Sequence, residues 1–199
     1  MTRAPSFAGV VLAAGASSRM GRDKALLPWR GRTFLTAHID ALTPYTDFVL
    51  VVAGANAAAL KPLVDASGAF LLVNPDPERG QFSSLQVGLQ EVLNRGRDAA
   101  IIALVDRPPA APDTITALRR AYERSPEGIW TIVPEHAGRH GHPIVAGREM
   151  ITAFLNGPVT ATARDIEHEN RQHIGYITVD DRFTIENIDT PEDYNRIAE

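Results

Sequence analysis

The chain has 199 residues, of which 44% are hydrophobic and 22% are charged, a balance that is ordinary for one globular domain with a sizeable core. Its formal net charge of -4 argues against a general nucleic-acid-binding protein, and the absence of cysteine excludes disulfides and thiolate metal sites. No apolar run is long enough to span a bilayer, and residues 1–6 lack the apolar core of a signal peptide. We therefore expect a cytoplasmic protein without membrane or nucleic-acid partners.

The first element is an apolar run at residues 9–14, long enough for one buried strand, followed by a loop of small residues. Arg19 lies in this loop and Lys24 lies just after it. Backbone N–H groups in such a loop bind anions, Gly15 allows a backbone conformation or a close approach that a Cβ atom would block, and both cations can bind phosphate oxygens. We interpret the stretch as a cradle for a triphosphate, and the alternative is a strand-to-helix turn with two solvated cations.

The remaining elements alternate between strands and helices. In the first part of the chain, residue patterns predict a helix at 33–42, a strand at 48–53, a helix at 57–66, a strand at 70–73 and a helix capped by Ser83 with Gln86 in a capping box. They then predict a strand at 99–105, a helix at 112–124, a strand at 130–133, a loop at 135–143 and a short pairing segment at 144–145. The last predicted elements are helices at 148–155 and 160–169, strands at 174–179 and 183–188, and a helix at 191–198. This order predicts a single α/β domain, residues 1–199, with a doubly wound, mainly parallel sheet. In such sheets, ligands bind at the carboxyl ends of the strands.

Two carboxylates fall at predicted strand ends. Asp106 follows a wholly apolar strand, and Asp189 stands between a predicted strand and the last helix. Mg²⁺ in proteins is held by one or two carboxylates together with phosphate and water, so Asp106 could contribute to a metal site. The alternatives are that Asp106 begins the turn before Pro108 and that Asp189 is an acidic residue favoured by the helix dipole.

Gly80, Ser83 and Ser84 lie at the start of the third predicted helix, where a cap and a nucleotide contact can coexist because free N–H groups point outward. Three histidines, His136, His140 and His142, fall in the predicted loop. We expect them to be solvated and do not interpret them as a metal cluster, because no helix or strand fixes their spacing.

The stretch from Leu12 to Gly21 reads Leu-Ala-Ala-Gly-Ala-Ser-Ser-Arg-Met-Gly, and it is followed by Lys24 and by Leu-Leu-Pro at 26–28. This pattern resembles the signature of the small nucleotidyltransferases of molybdenum-cofactor maturation, and Ala-Ala-Gly resembles their cytidylyltransferase branch more than their guanylyltransferase branch. The resemblance implies a Rossmann-like nucleotidyltransferase fold. It also implies transfer of CMP from CTP, or of a nucleotide from another nucleoside triphosphate, to the terminal phosphate of molybdopterin cofactor, with release of pyrophosphate and a molybdoenzyme as recipient of the product.

The same resemblance implies roles for individual residues. It assigns catalysis to Arg19, Lys24 and Asp106, binding of Mg²⁺ to Asp106 and Asp189, and binding of the acceptor to His142 of a Gly-His-Pro motif. The nucleotide-binding residues that it implies are Leu12, Ala13, Ala14, Gly15, Ser17, Arg19, Lys24, Gly80, Ser83, Ser84 and Asp106. Two positions depart from the family pattern, since Arg107 replaces a glutamine and Asn187 replaces the first aspartate of Asp-Ile-Asp-Thr-Pro.

Two other functions remain open on the sequence alone. One is a nucleotidyltransferase for another phosphorylated acceptor, such as a sugar phosphate or an isoprenoid precursor. The other is a catalytically weak nucleotide-binding protein that delivers cofactor to a partner enzyme. The pair of Asp106 and Asp189 favours an enzyme, because delivery alone needs no metal.

Overall fold

The computed structural model of this chain describes residues 3–15 and 20–198. Its central feature is an eight-stranded sheet, and a separate two-stranded hairpin accompanies it. The sheet strands are β1 (Phe7–Leu12), β4 (Phe48–Ala53), β5 (Phe70–Val73), β6 (Ala99–Leu104), β7 (Thr131–His136), β8 (Arg139–His140), β9 (Ile144–Gly147) and β10 (Ile174–Thr178), and the hairpin consists of β2 (Pro28–Trp29) and β3 (Arg32–Thr33).

The strand order is β10-β7-β9-β6-β1-β4-β5, with β8 paired to β7. Strand β1 lies between β4 and β6 and is parallel to both, and β5 and β10 also run parallel to their neighbours. Strand β9 is antiparallel to β6 and β7. The predicted mainly parallel sheet is therefore confirmed, and the carboxyl ends of β1, β4 and β6 meet at one edge.

Helices cover both faces of the sheet. They are α1 (Phe34–Leu42), α2 (Ala57–Ala66), α3 (Gln81–Asn94), α4 (Pro112–Arg124), α5 (Arg148–Asn156), α6 (Ala163–Glu169) and α7 (Pro191–Ala198). One core joins β1 to the apolar residues of α1, α2 and α4, and a second core joins the other face to α3, α5 and α6. This double layer is the predicted doubly wound arrangement. Within the described ranges, no helix is long and apolar enough to cross a membrane.

The predicted strand at 183–188 is wrong. The chain there forms a short 3-10 helix, Arg182–Thr184, and then an irregular segment that leads to α7. Ile185 and Ile188 are buried, so the alternation of apolar residues reflects packing of this segment. Its backbone is satisfied outside a ladder, because the Ile188 N–H donates to the Asp106 carbonyl at 2.8 Å.

The predicted loop at 135–143 is also wrong in part. Strand β7 continues to His136 and pairs with β8 in an antiparallel hairpin. Ala137 and Gly138, between the two strands, both have positive φ, at 48° and 73°. This is the backbone of a tight two-residue hairpin turn, for which a glycine preceded by a small residue is a weak sequence signal.

Candidate active site

The loop after β1 forms one wall of a cavity of about 890 Å³ at the carboxyl edge of the sheet, which we call the first cavity. Leu12, Ala14 and Gly15 line it, in agreement with the predicted position of these residues. Ala13 is 1% exposed and belongs to the core beneath. The other lining residues are Gly21, Arg22, Asp23, Ala55, Asn56, Pro77, Glu78, Gly80, Gln81 and Ser84.

Asn56 holds the two described ends of this loop together. Its side-chain amide donates to the Ala13 carbonyl at 2.8 Å and to the Asp23 carboxylate at 2.7 Å. Asp23 in turn accepts from the Ala25 N–H at 2.9 Å and so caps the short 3-10 helix that begins at Lys24. Our sequence analysis did not identify Asn56. The available signal was its position just beyond β4, at the edge where ligands bind in this class of sheet.

Ser17 and Arg19 lie outside the described residues, so their assigned roles remain predictions. Gly15 is described, and its φ is not in the left-handed region. A Cβ atom built on it would meet no atom of the described residues within 4 Å. The described part of the chain therefore does not itself require glycine at this position.

Lys24 and Asp189 form an ion pair at 2.9 Å, although 165 positions separate them. The Asp189 segment is fixed by the start of α7, where the Asp193 carboxylate accepts from the Asp189 and Thr190 N–H groups. Thr190 accepts in return from the Asp193 N–H at 3.2 Å, as predicted for the cap of this helix. The pair links the loop after β1 to the carboxylate assigned to metal binding.

Asp106 lies two residues beyond the end of β6, and its backbone carbonyl joins it to the Asp189 segment through Ile188. Its Oδ1 atom is buried and has no hydrogen-bond partner among the described residues. A buried carboxylate oxygen without a partner is costly unless a cation or donor binds it. This atom therefore fits the predicted metal site, with Asp189 as the neighbouring carboxylate.

Mg²⁺ commonly takes only one or two protein carboxylates and completes its shell with phosphate and water. Across residues 3–15 and 20–198, no cluster of three or more His, Asp or Glu side chains is arranged to hold a metal. Asp106 and Asp189 thus suit an ion that arrives with a triphosphate better than an ion held by the protein alone.

Arg107 is the next residue after Asp106, and its side chain lies near the Asp106 and Asp189 carboxylates. Its Nη1 donates to the Thr184 carbonyl at 2.6 Å, whereas its Nε is buried without a partner in the described chain. Burial lowers the pKa of Arg107, and the nearby charges of Asp106 and Asp189 oppose this shift. The replacement of the family's glutamine by Arg107 therefore places a partly buried cation beside both carboxylates.

Ser83 and Ser84 lie inside α3, whose N-cap is Gly80, so the predicted capping box with Ser83 as N-cap is wrong. The Asn74 amide donates to both hydroxyls, at 2.8 Å and 2.9 Å, and the Ser83 hydroxyl donates to the Gly80 carbonyl. Ser84 lines the first cavity and Ser83 does not. Gly80 has φ 89° and ψ -178°, a conformation essentially restricted to glycine, and this explains why glycine starts the helix.

A second cavity, of about 540 Å³, shares Leu12, Gly80 and Gln81 with the first cavity. Its lining includes His142, as the acceptor assignment requires, and also Arg107. Residues from α3, β6, β7, β9 and the segment before and within α6 complete it, namely Arg79, Phe82, Leu85, Ile102, Leu104, Val133, His140, Gly141, Ile144, Ala161, Thr162, Ala163, Arg164 and Glu167. The two cavities form adjoining halves of one cleft, and Asp106 is in the lining of neither, although the next residue, Arg107, lines the second.

His142 is not a solvated loop residue, which corrects the expectation from the sequence. Its Nδ1 is buried without a hydrogen-bond partner in the described chain, and its backbone N–H donates to the Thr184 carbonyl at 2.9 Å. Burial, together with the charge of Arg107, lowers the pKa of His142 to about 3, so the ring is neutral near pH 7. The Nδ1 atom of His136 lies 3.0 Å from the Val179 carbonyl oxygen, and the His140 ring stacks on Tyr176. The rings of His136, His140 and His142 therefore make separate contacts.

His38 is a further buried histidine that sequence reasoning missed. Its Nε2 lies 2.9 Å from the Arg107 carbonyl, which can only accept, so Nε2 carries the proton. Burial lowers the pKa of His38 to about 4, and the ring is neutral at neutral pH. His38 thus supports the turn that carries Asp106. Its spacing from Phe34 and Leu35 on α1 was the available signal of a buried position.

Comparison with known proteins identifies the family, while the relatives carry different names. A model of the family described as MobA-like NTP transferase domain matches residues 9–174. The chain is 32% identical over 204 residues to a protein named nicotine blue oxidoreductase from Paenarthrobacter nicotinovorans, with 98% of each chain covered. It is 25% identical over 186 residues to the molybdenum cofactor cytidylyltransferase of Escherichia coli, covering 93% of this chain and 92% of the other. It is also 28% identical over 200 residues to the molybdenum cofactor guanylyltransferase of Xanthomonas euvesicatoria, covering 99% of this chain and 97% of the other.

Solved structures agree with the fold. The crystal structure of Rv0371c from Mycobacterium tuberculosis superposes with a TM-score of 0.82 at 28% identity, covering 97% of this chain and 98% of the other. A structure of the same mycobacterial protein in complex with manganese superposes with a TM-score of 0.76 at 24% identity over the same shares. The sheet order and the helices on its two faces are thus those of an experimentally observed fold.

Proposed function

Because the chain belongs to the MobA-like NTP transferase domain family and is a nucleotidyltransferase, we propose that its one domain, residues 1–199, transfers CMP from CTP to the terminal phosphate of molybdopterin cofactor. The observation that carries the proposal is the buried Oδ1 atom of Asp106, which has no hydrogen-bond partner among the described residues and whose neighbour Arg107 lines a cleft with two adjoining halves. The first cavity takes the nucleotide and the second cavity takes the acceptor.

In this reaction an oxygen of the acceptor phosphate attacks the α-phosphorus of CTP. The bond from the α-phosphorus to the oxygen that bridges it to the β-phosphorus breaks, and pyrophosphate leaves with that electron pair. No covalent intermediate with the protein is needed, which agrees with the absence of cysteine. The task of the chain is to orient two phosphorylated reactants in line and to stabilise the developing negative charge.

Asp106 and Asp189 would hold the divalent ion, which we propose to be Mg²⁺. A divalent ion held there would supply positive charge that stabilises the negative charge developing on the phosphates. A related mycobacterial protein forms a complex with manganese. In this chain the Lys24 ammonium already compensates part of the Asp189 charge, so the two carboxylates differ in their electrostatic surroundings.

We assign Lys24 and Arg19 to the β- and γ-phosphates. Lys24 follows Asp23, a lining residue of the first cavity, and is held by the capped 3-10 helix. A cation fixed there stabilises the leaving pyrophosphate without needing to reorganise during the reaction. Arg19 belongs to the same loop by sequence and carries the same assignment as an expectation.

The Lys24→Ala variant should bind CTP about tenfold to 100-fold more weakly, because a charge-assisted contact to phosphate is lost. Binding of CMP, which lacks the outer phosphates, should weaken much less. Calorimetric titration with both nucleotides measures this difference, and Lys61→Ala provides a matched control because Lys61 is exposed and pairs with Asp65 on α2. Equal weakening for CTP and CMP would place Lys24 away from the outer phosphates.

The choice of base depends on the walls of the first cavity. Ala14 lines this cavity with a methyl group, and Ser84 lines it from the first turn of α3. That methyl group reduces the room for a purine beside the loop, while hydrogen bonds to the base edge add discrimination. We therefore propose a preference for CTP over GTP.

Pyrophosphate release from a panel of nucleoside triphosphates, with one phosphorylated acceptor held constant, tests this preference. The unmodified chain should turn over CTP faster than GTP, and Ala14→Gly should narrow the ratio without reversing it. Equal rates with GTP and CTP in the unmodified chain would contradict the cytidylyl assignment. Using a sugar phosphate or an isoprenoid precursor as the acceptor in the same assay tests the alternative substrates, and absence of turnover with every combination would favour a delivery protein.

A further inference from the structure

The second cavity has one acidic side chain in the lining that the structure describes. Arg79, Arg107, His140 and Arg164 contribute basic groups to the same lining, whereas Glu167 contributes a carboxylate. Arginines suit a phosphorylated acceptor. A carboxylate does not suit a phosphate, so its presence in this half of the cleft requires a different partner.

The Glu167 carboxylate has no such partner in the part of the chain that the structure describes. No hydrogen bond to either carboxylate oxygen is found there, and no cationic nitrogen of the described residues lies within 4.0 Å of them. Burial raises the pKa of Glu167, and the charge of Arg164, one turn earlier on α6, only partly opposes this shift. The carboxylate is therefore partly desolvated and only partly compensated by Arg164, as expected for a group that binds a ligand.

The position of Glu167 is well defined. Helix α6 begins with a capping box in which Thr162 and Asp165 exchange hydrogen bonds, and Ile166 is 4% exposed in the core beneath α3 and α5. The carboxylate is thus presented from a fixed helix rather than from a loop. A preorganised group of this kind binds with less loss of conformational entropy.

The large apolar side chains of the lining come from the sheet and from α3. They include Phe82, Leu85, Ile102, Leu104, Val133 and Ile144. Such a surface suits a flat ring system and makes few hydrogen bonds of its own. A planar heterocycle placed on it would have its polar edge satisfied by charged residues of the rim.

We propose that Glu167 recognises a planar heterocycle that presents two adjacent N–H donors, the edge of a 2-aminopyrimidin-4-one ring, in the acceptor substrate. The proposal rests on the proposed function, because it assigns a specificity-determining residue for the acceptor in the same cleft. The two carboxylate oxygens of Glu167 accept from the ring N–H and from the exocyclic amino group. Arg107, in the same cavity, lies next to Asp106 and binds the phosphate of that acceptor.

Two fluorescent probes test this assignment directly. They are the phosphate esters of 6-hydroxymethylpterin and of 6-hydroxymethyllumazine, which differ at position 2, where the pterin carries an amino group and the lumazine carries a carbonyl oxygen. The unmodified chain should bind the pterin about tenfold to 100-fold more tightly, because the lumazine oxygen would face a carboxylate oxygen. Fluorescence titration without CTP measures both affinities.

Glu167→Gln should remove most of the preference, because the amide offers one acceptor and one donor in place of two acceptors. Glu169→Gln is the matched control, since Glu169 is exposed on the same helix and outside the cavity lining, and it should retain the full preference. Equal binding of both probes by the unmodified chain would overturn the proposal, as would an unchanged preference in Glu167→Gln.

The comparison of probes in the unmodified chain keeps the test valid even if Glu167→Gln does not fold. The outcome is also distinct from that of the proposed function. Release of pyrophosphate without any pterin preference refutes only the role of Glu167 and leaves the proposed nucleotidyl transfer intact. A pterin preference that depends on Glu167, without pyrophosphate release from any nucleotide, refutes nucleotidyl transfer and leaves the recognition role intact.

Discussion

Replacement of Asp106 with asparagine should lower the rate of pyrophosphate release by about 100-fold or more, as for other groups that stabilise the transition state. The reason is local. Asp106 carries a buried oxygen that has no hydrogen-bond partner in the described ranges, and its backbone is joined to the segment that bears Asp189. Asparagine keeps the size of the side chain but removes the charge that would hold a divalent ion.

The same variant should be at least as stable as the unmodified chain. A buried carboxylate oxygen without a donor costs more than a buried neutral amide, so its removal should leave the melting temperature unchanged or slightly raised. Quenched assays of released pyrophosphate measure the rate, and thermal unfolding without added metal measures the melting temperature. Asp180→Asn, at an exposed position outside both cavities, should change neither quantity. A fully active Asp106→Asn variant would exclude Asp106 from the metal site.

Gly141→Ala should destabilise the chain by about 3 kcal/mol or more, because no space exists for a methyl group. A Cβ atom on Gly141 would overlap the Thr184 carbonyl and lie 3.2 Å from Ile185. That carbonyl accepts from Arg107 and from the His142 N–H, so its displacement would also disturb both walls of the second cavity. We expect a fall in melting temperature on the order of 10 °C for a chain of this size.

Gly15→Ala offers the contrasting substitution. Its φ is ordinary and a Cβ atom would meet no atom of the described residues, so its melting temperature should stay within about 2 °C of the unmodified value. Differential scanning calorimetry of both variants gives the comparison. A Gly141→Ala variant as stable as Gly15→Ala would show that the packing of Gly141 against Thr184 is not tight.

The sequence predicted those elements whose apolar pattern and caps agree. Strand β4 and helices α2 and α4 occur at the predicted residues, and α7 begins with its predicted cap at Thr190. In each case the local signal coincides with burial against the sheet. The segment at 183–188 misled the prediction because its buried isoleucines pack against the sheet edge while its backbone bonds to the turns at Asp106 and His142.

The site was predictable only where a residue stands at a strand end or in a small-residue loop. Leu12, Ala14, Gly80 and Ser84 line the first cavity. Asp106 is joined to the Asp189 segment through Ile188, although Asp189 does not follow a strand, contrary to the prediction from the sequence. Contacts between distant parts of the chain carry no comparable signal. The Asn56 amide reaches the Ala13 carbonyl across 43 positions of sequence. The position of Glu167 in the lining of the second cavity depends on how α6 packs.

Phosphorus-31 NMR of a reaction that contains the chain, MgCTP and a phosphorylated pterin tests the central claim most directly. Nucleotidyl transfer predicts that CTP and acceptor disappear together, while pyrophosphate and a new phosphoanhydride between CMP and the acceptor appear in equal amounts. Formation of CDP with inorganic phosphate, or of CMP with pyrophosphate while the acceptor remains unchanged, would contradict the account, because neither outcome joins the nucleotide to the acceptor.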